Sequence, residues 1–224
     1  MSFADRLLSF LTTFPAPAGL PTHVMAANPY IAEPSRALLT TFAGKFYGDE
    51  RSRVAVLGIN PGRFGGGTTG ISFTDPVALA DFCGIPNALP RRREMSSEFV
   101  YQFIAALGGP AEFYAHFYLG SVYPMVLLKE GLNYNYYDAP ALTRALWPQL
   151  LDSLRQQVEV GFRRDVVVSL GRRNAQFLRK LNQEVKLFDE IIELDHPRYI
   201  MQYKRRALAE YVAQYVAVLG GLVA

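Results

Sequence analysis

Two short stretches hold the residues best suited to chemistry. In the run Gly58-Ile59-Asn60-Pro61-Gly62-Arg63-Phe64, continuing through Gly65-Gly66-Gly67 to Phe73, an asparagine stands directly before a proline in a glycine-rich loop. Far downstream, Asp195-His196-Pro197-Arg198 places a histidine in the same relation to a proline. An asparagine amide offers an acceptor and donors but no titratable proton, so Asn60 suits the orientation of a water or a substrate and is a poor general base. A histidine ring can donate a hydrogen bond to charge developing on a leaving group, which is the chemistry open to His196. A lone histidine is more often structural, and His23 and His116 are left in that role. The glycines let a bound group approach the backbone closely, while Phe64, Ile71 and Phe73, interleaved with them, look like a pocket wall. The loop has no Gly-Lys-Ser/Thr ending and does not open as Gly-x-Gly-x-x-Gly onto a helix, so a P-loop is excluded and a dinucleotide site is weakly supported.

The elements that must position these residues follow from periodicity. Ser2 caps an amphipathic helix through Leu7, Leu8 and Leu11 that Pro15 stops, and a loop rich in proline and alanine leads to a helix over 34–47. Arg53 to Ile59 lacks polar alternation and reads as a strand buried on both faces, the pattern of a parallel sheet. Further strands are expected at Phe117 to Tyr123, Asp165 to Leu170 and Phe188 to Leu194. Helices are expected to begin at Asp75-Pro76, Ser97, Asp138-Pro140 and Arg172. The helix after Asp138 meets Pro148 within its run, and a last helix carries Leu208, Tyr211, Tyr215 and Leu219. Strands separated by helices predict an α/β fold, a three-layer α/β/α sandwich with a central four-stranded parallel sheet. Ligands bind beyond the carboxyl ends of such strands, which singles out Asn60, Ser121, Gly171 and His196. One domain over 1–224 is expected, with 1–50 a helical segment packed on the 51–224 core.

With 224 residues, half of them hydrophobic, the chain is long enough for one sizeable core. A single cysteine, Cys83, excludes an internal disulfide and a cysteine-built zinc or iron–sulfur site. No apolar run is long enough to span a membrane, and Asp5 and Arg6 stand where a signal peptide needs an apolar centre, so an intracellular protein is expected. The net charge of +3 permits an anionic partner without demanding one.

The paired motifs resemble those of the uracil-DNA glycosylase superfamily, in particular its single-strand-selective monofunctional, or SMUG-type, branch. The arrangement is Gly-x-Asn-Pro-Gly, then Phe-Gly, then Thr-Gly-x-x-Phe, with His-Pro in the second motif; the mismatch-specific branch has asparagine in place of that histidine. The resemblance covers roughly Arg53 to Tyr215 and is closest to a bacterial SMUG-like subfamily. It implies a monofunctional base-excision repair enzyme that flips uracil, or 5-substituted uracils, out of DNA and hydrolyses the bond to the sugar, without metal or cofactor. Asn60 would position the attacking water and His196 would stabilise negative charge on uracil O2. Phe73 would stack on the base, backbone amides near Gly62 would bind its carbonyls, and Phe64 would line the pocket. A DNA partner, a monomer, no membrane association and a cytoplasmic place at the bacterial nucleoid complete the expectation.

The match departs from the family in three places. Ser121 stands where the family has an asparagine that reads the base edge, with Asn133 and Asn135 as loop residues that could assist. The second motif lacks the family's longer wedge, leaving Tyr199, Ile200 and Met201 either to intercalate or to form a buried helical turn. Gly65-Gly66-Gly67 replaces larger side chains, which predicts a roomier pocket. Arg63, Arg198, Lys204 and Arg205 are expected at the pocket mouth, facing phosphates, together with Arg206. Arg172 and Arg173 share that sheet edge, and Arg91 to Arg93 receive no role. Two alternatives stay open: a catalytically silent nucleic-acid or nucleotide-binding protein with this fold, and a hydrolase of a phosphorylated small molecule.

Overall fold

The computed structural model describes residues 1–223. The chain opens on helix α1 (Phe3–Thr13), where Ser2 Oγ accepts from the Asp5 N–H and the Asp5 carboxylate accepts from the Ser2 N–H, a reciprocal cap. Strand β1 (Val24–Ala27) and helix α2 (Ser35–Phe46) precede β2 (Arg53–Gly58), which is buried along its whole length. The glycine-rich loop then winds one turn of helix, α3 (Gly66–Thr69). Asp75 caps α4 (Pro76–Asp81) by accepting from the Val77 and Ala78 N–H groups, and α5 (Met95–Ala106) and α6 (Pro110–His116) lead to β3 (Phe117–Ser121). Strands β4 (Val126–Lys129) and β5 (Leu132–Asn133) form a hairpin before α7 (Pro140–Val160). The remainder alternates β6 (Phe162–Leu170), α8 (Arg172–Val185), β7 (Glu190–Leu194), α9 (Pro197–Tyr203), a 3-10 turn at Arg205–Ala207 and α10 (Leu208–Gly220).

Four of the strands form a parallel sheet in the order β3-β2-β6-β7, flanked by helices in the expected α/β/α sandwich. Gly58 lies opposite Ser121, and Leu170 lies opposite Leu194, so the carboxyl ends share one edge. From β2 the chain reaches β3 on one side and later β6 on the other. The carboxyl end of β2 is therefore the topological switch point, where such sheets open a crevice. Helices α7 and α8 pack with β6, while α9 and α10 both pack on α5. The core includes Cys83, whose Sγ lies 3.1 Å from the Tyr101 hydroxyl; burial pushes its thiol up to about 11.

Several expected boundaries shift. The proline- and alanine-rich loop contains β1, which pairs antiparallel with β4 in a second sheet of order β1-β4-β5. Helix α5 starts at Met95 rather than Ser97, whose hydroxyl instead accepts from the Asp75 N–H. Pro148 lies inside α7 without ending it. The segment after His196 forms a separate helix, α9, before the last one.

Candidate active site

Strand β2 delivers Asn60 to the switch point with its amide already oriented. Its Nδ2 donates to the Tyr134 carbonyl at 3.1 Å and its Oδ1 accepts from the Tyr136 N–H at 3.2 Å. One N–H and one lone pair of the amide remain for a ligand.

His196 caps α9. Its Nδ1 accepts from the Arg198 N–H at 3.1 Å, so a neutral ring carries its proton on Nε2. Burial, and secondarily the Arg198 charge, bring its pKa down from 6.5 to about 4. At neutral pH the ring is therefore an uncharged donor. Gly171, at φ +103°, lets the ring lie against the end of β6: a Cβ there would stand 3.3 Å from that of His196.

Phe73 adopts a left-handed backbone at φ +55°, and its ring centroid lies 5.7 Å from that of His196 at 50°. The ring occupies the space above Gly58, where a Cβ would come within 2.5 Å of Phe73 Cζ. Around these groups lies a cavity of about 430 Å³, within the range of small-ligand sites. Asn60, Gly62, Phe64, Phe73, Ser121, His196, Arg198 and Tyr199 all line it, so the two motifs meet in one place. Two distant segments, each ending a parallel strand, thus bring a fixed amide and a neutral imidazole donor to the same pocket.

A family model described as the uracil DNA glycosylase superfamily matches residues 45–220. The chain belongs to that superfamily. It is 30% identical over 189 residues, 75% of its length, to the single-strand selective monofunctional uracil-DNA glycosylase of Rattus norvegicus. It spans 64% of the length of that rat relative. The crystal structure of wild-type Pedobacter heparinus SMUG2 superposes with a TM-score of 0.95 at 37% identity, covering 99% of this chain and 98% of that one. Within the superfamily the chain is of the SMUG type.

Against the glycosylase superfamily's two motifs, the other expected site residues divide. Arg63 is exposed and does not line this cavity, a correction to its expected place at the mouth; its N–H donates to Asn133 Oδ1 at 2.9 Å, and its guanidinium donates to the Gly131 carbonyl. Arg198 and Tyr199 are exposed at the mouth. Ile200 and Met201 are buried at 0% and 3% exposure, which corrects their expected contact with DNA: they face the core from α9, which packs on α5. Lys204 and Arg205 are exposed but do not line the cavity, and Arg205 approaches Glu98 at 3.7 Å, a correction to their expected place at the mouth. Arg173 turns away, donating to the Tyr137 carbonyl at 2.8 Å.

Of Gly65-Gly66-Gly67, only Gly66 lines the cavity, and the space beside the other two is taken by protein groups. Cβ atoms at Gly65 and Gly67 would meet the Glu94 carboxylate and the Gly62 carbonyl, each at 2.2 Å. The missing side chains admit Glu94 and a tight loop. Glu94 itself lines the cavity, with a pKa raised by burial and by the neighbouring Asp75 charge. Sequence reasoning missed Glu94, Ser96 and Tyr203 as lining residues, and left Asn133 and Asn135, which also line the cavity, as loop residues. One signal was available for Tyr203: it stands one helical turn beyond Tyr199, and the two rings pack at 5.4 Å. Among the described residues, no group of three or more His, Cys, Asp or Glu side chains is arranged to hold a metal. No helix among them is long and apolar enough to cross a membrane.

Proposed function

We propose that this protein is a monofunctional DNA glycosylase of base-excision repair that flips uracil, and 5-substituted uracils, out of DNA and hydrolyses the base–sugar bond to leave an abasic site. The observation that carries the reading is the tautomer of His196. With Nδ1 occupied by the Arg198 N–H, a neutral ring keeps its proton on Nε2, and His196 lines the pocket that Asn60 shares. Negative charge growing on uracil O2 is met by a donor that needs no proton transfer, and such donors contribute on the order of 3 kcal/mol to the barrier. Asn60 uses its remaining lone pair and N–H to hold the attacking water. Phe73 stacks on the base, the Gly62 backbone and Phe64 close the wall, and the Ser121 hydroxyl, at the end of β3, meets the base edge. No metal or cofactor enters this reading. Arg63, Arg198 and Tyr199 face the DNA. The chain acts as a single domain over 1–224 and as a monomer, in the bacterial cytoplasm at the nucleoid.

The test uses single- and double-stranded oligonucleotides carrying one uracil, incubated with the protein in EDTA and then cleaved at abasic sites with alkali. Strand scission is expected from the wild type and its near loss from Asn60→Ala and His196→Ala. No scission at micromolar protein would sink the activity; full scission by both variants would sink the residue roles while leaving the activity standing.

A further inference from the structure

A second cavity, of about 480 Å³, adjoins the first and shares Phe64, Glu94, Ser96, Asn133 and Arg198 with it. Arg63, Arg92, Arg93 and Arg198 line it, and among the described residues none of the four is ion-paired. Their neighbour Arg91 is drawn off to Asp81 at 3.1 Å. Two of these side chains are held in place: the Arg63 and Arg92 guanidinium carbons lie 4.6 Å and 3.9 Å from the centre of the Phe64 ring. Glu94 on the shared wall offsets part of the Arg92 and Arg198 charge, and the excess of guanidinium groups that remains in this concave site fits an oxyanion that accepts from several forks at once. The shared wall places that anion next to whatever fills the first cavity.

We infer that this cavity binds a phosphodiester of the substrate strand adjoining the flipped nucleotide, with Arg92 and Arg93 as its main ligands. The inference rests on the glycosylase reading. The test is a double-mutant cycle between protein and substrate. Each phosphate within three nucleotides of the uracil is replaced in turn by a neutral methylphosphonate, and KM is measured for the wild type and for Arg92→Ala/Arg93→Ala. At one position the neutral linkage should raise the wild-type KM at least tenfold and leave the variant's nearly unchanged, and the variant's salt slope should be shallower by about 1 to 2. Additive effects at every position, or an unchanged KM in the variant, would overturn it. Wild-type turnover of the unmodified strand keeps the glycosylase reading separate from this outcome.

An independent set of bonds stands behind Asn60. Asn174, with no exposure, donates through Nδ2 to the Leu57 and Gly58 carbonyls and to Ser169 Oγ, each at 3.1 Å, and accepts from the Tyr136 hydroxyl at 2.8 Å. The Tyr136 N–H in turn donates to Asn60 Oδ1. The geometry points to Tyr136 and Asn174 as positioning residues that set which end of the Asn60 amide faces the cavity, again on the glycosylase reading. Tyr136→Phe should lower kcat about tenfold with KM unchanged, and the same change should have no effect on the residual kcat in an Asn60→Ala background. An unchanged kcat, or an equal loss in both backgrounds, would overturn the assignment.

Discussion

The two ends of strand β2 use polar side chains in opposite ways. At its start, Arg53 is fully buried with four of its five guanidinium N–H groups engaged: Nε donates to the Tyr114 carbonyl at 2.8 Å, Nη1 to the Arg51 carbonyl at 2.9 Å, and Nη2 to the Phe46 carbonyl at 3.3 Å and to Asp49 at 3.1 Å, beneath the rings of Phe3 and Tyr47. Past its other end, Asn60 is only half anchored, with a donor and an acceptor left over. A group so engaged holds the fold together and has little to offer a ligand. A half-anchored one contributes less to stability and keeps capacity for chemistry. Substitution should therefore separate the two ends cleanly.

The largest effect is expected at the buried end. Arg53→Met leaves the Tyr114, Arg51 and Phe46 carbonyls and Asp49 without their partner, and urea denaturation should show a loss of about 3–5 kcal/mol. At temperatures where the variant is folded, its kcat should match the wild type. Asn60→Ala should do the reverse, lowering kcat by about 10²- to 10³-fold in the abasic-site assay while the melting temperature stays within a degree or two. A large stability loss at Asn60, or a large kcat loss at Arg53, would break the contrast.

Protonation of His196 adds a pH dependence at the catalytic end. Its folded pKa of about 4 is below the unfolded 6.5, so between these values the unfolded chain takes up the proton first. Stability therefore rises with pH across that window and is lost as pH falls from 6.5 towards 4. Activity dependent on the neutral ring should be flat from pH 8 to about 5.5 and fall to half near 4. A kcat/KM profile bending at 6.5 would show that the ring is not desolvated. The smallest expected change is a gain: Ser121→Asn restores an amide at the end of β3 and should raise uracil turnover by a few-fold, one hydrogen bond's worth. An unchanged rate would mean that another group, such as the Asn133 or Asn135 amide, reads the base.

Most of this site was legible because strand ends are local. The unbroken Val54 to Leu57 run and the Asp165 to Leu170 run announce buried parallel strands, and the residues after each strand of such a sheet share one edge. The same logic placed Asn60, Ser121, Gly171 and His196 together. What escaped came from groups whose roles depend on long-range packing. Glu94 enters the pocket only because Gly65 leaves room for it, and β1 is a strand only because β4 pairs with it. Ile200 and Met201 read equally well as a wedge or as a buried turn, and the choice was made by α9 docking on α5. Arg53 gave no local sign that a charge opening a strand would be wholly enclosed.

The burial of Cys83 has a practical consequence. With its sulfur enclosed beside Tyr101 and its thiol pushed up to about 11, the one native cysteine is nearly inert to maleimides at neutral pH. A thiol introduced by Leu132→Cys, at a position 63% exposed on the rim of the arginine-lined cavity, is then the one that a fluorophore finds. The molecule is ready for single-dye labelling without any cysteine first being removed, and the dye would report the arrival of a nucleic-acid strand in real time.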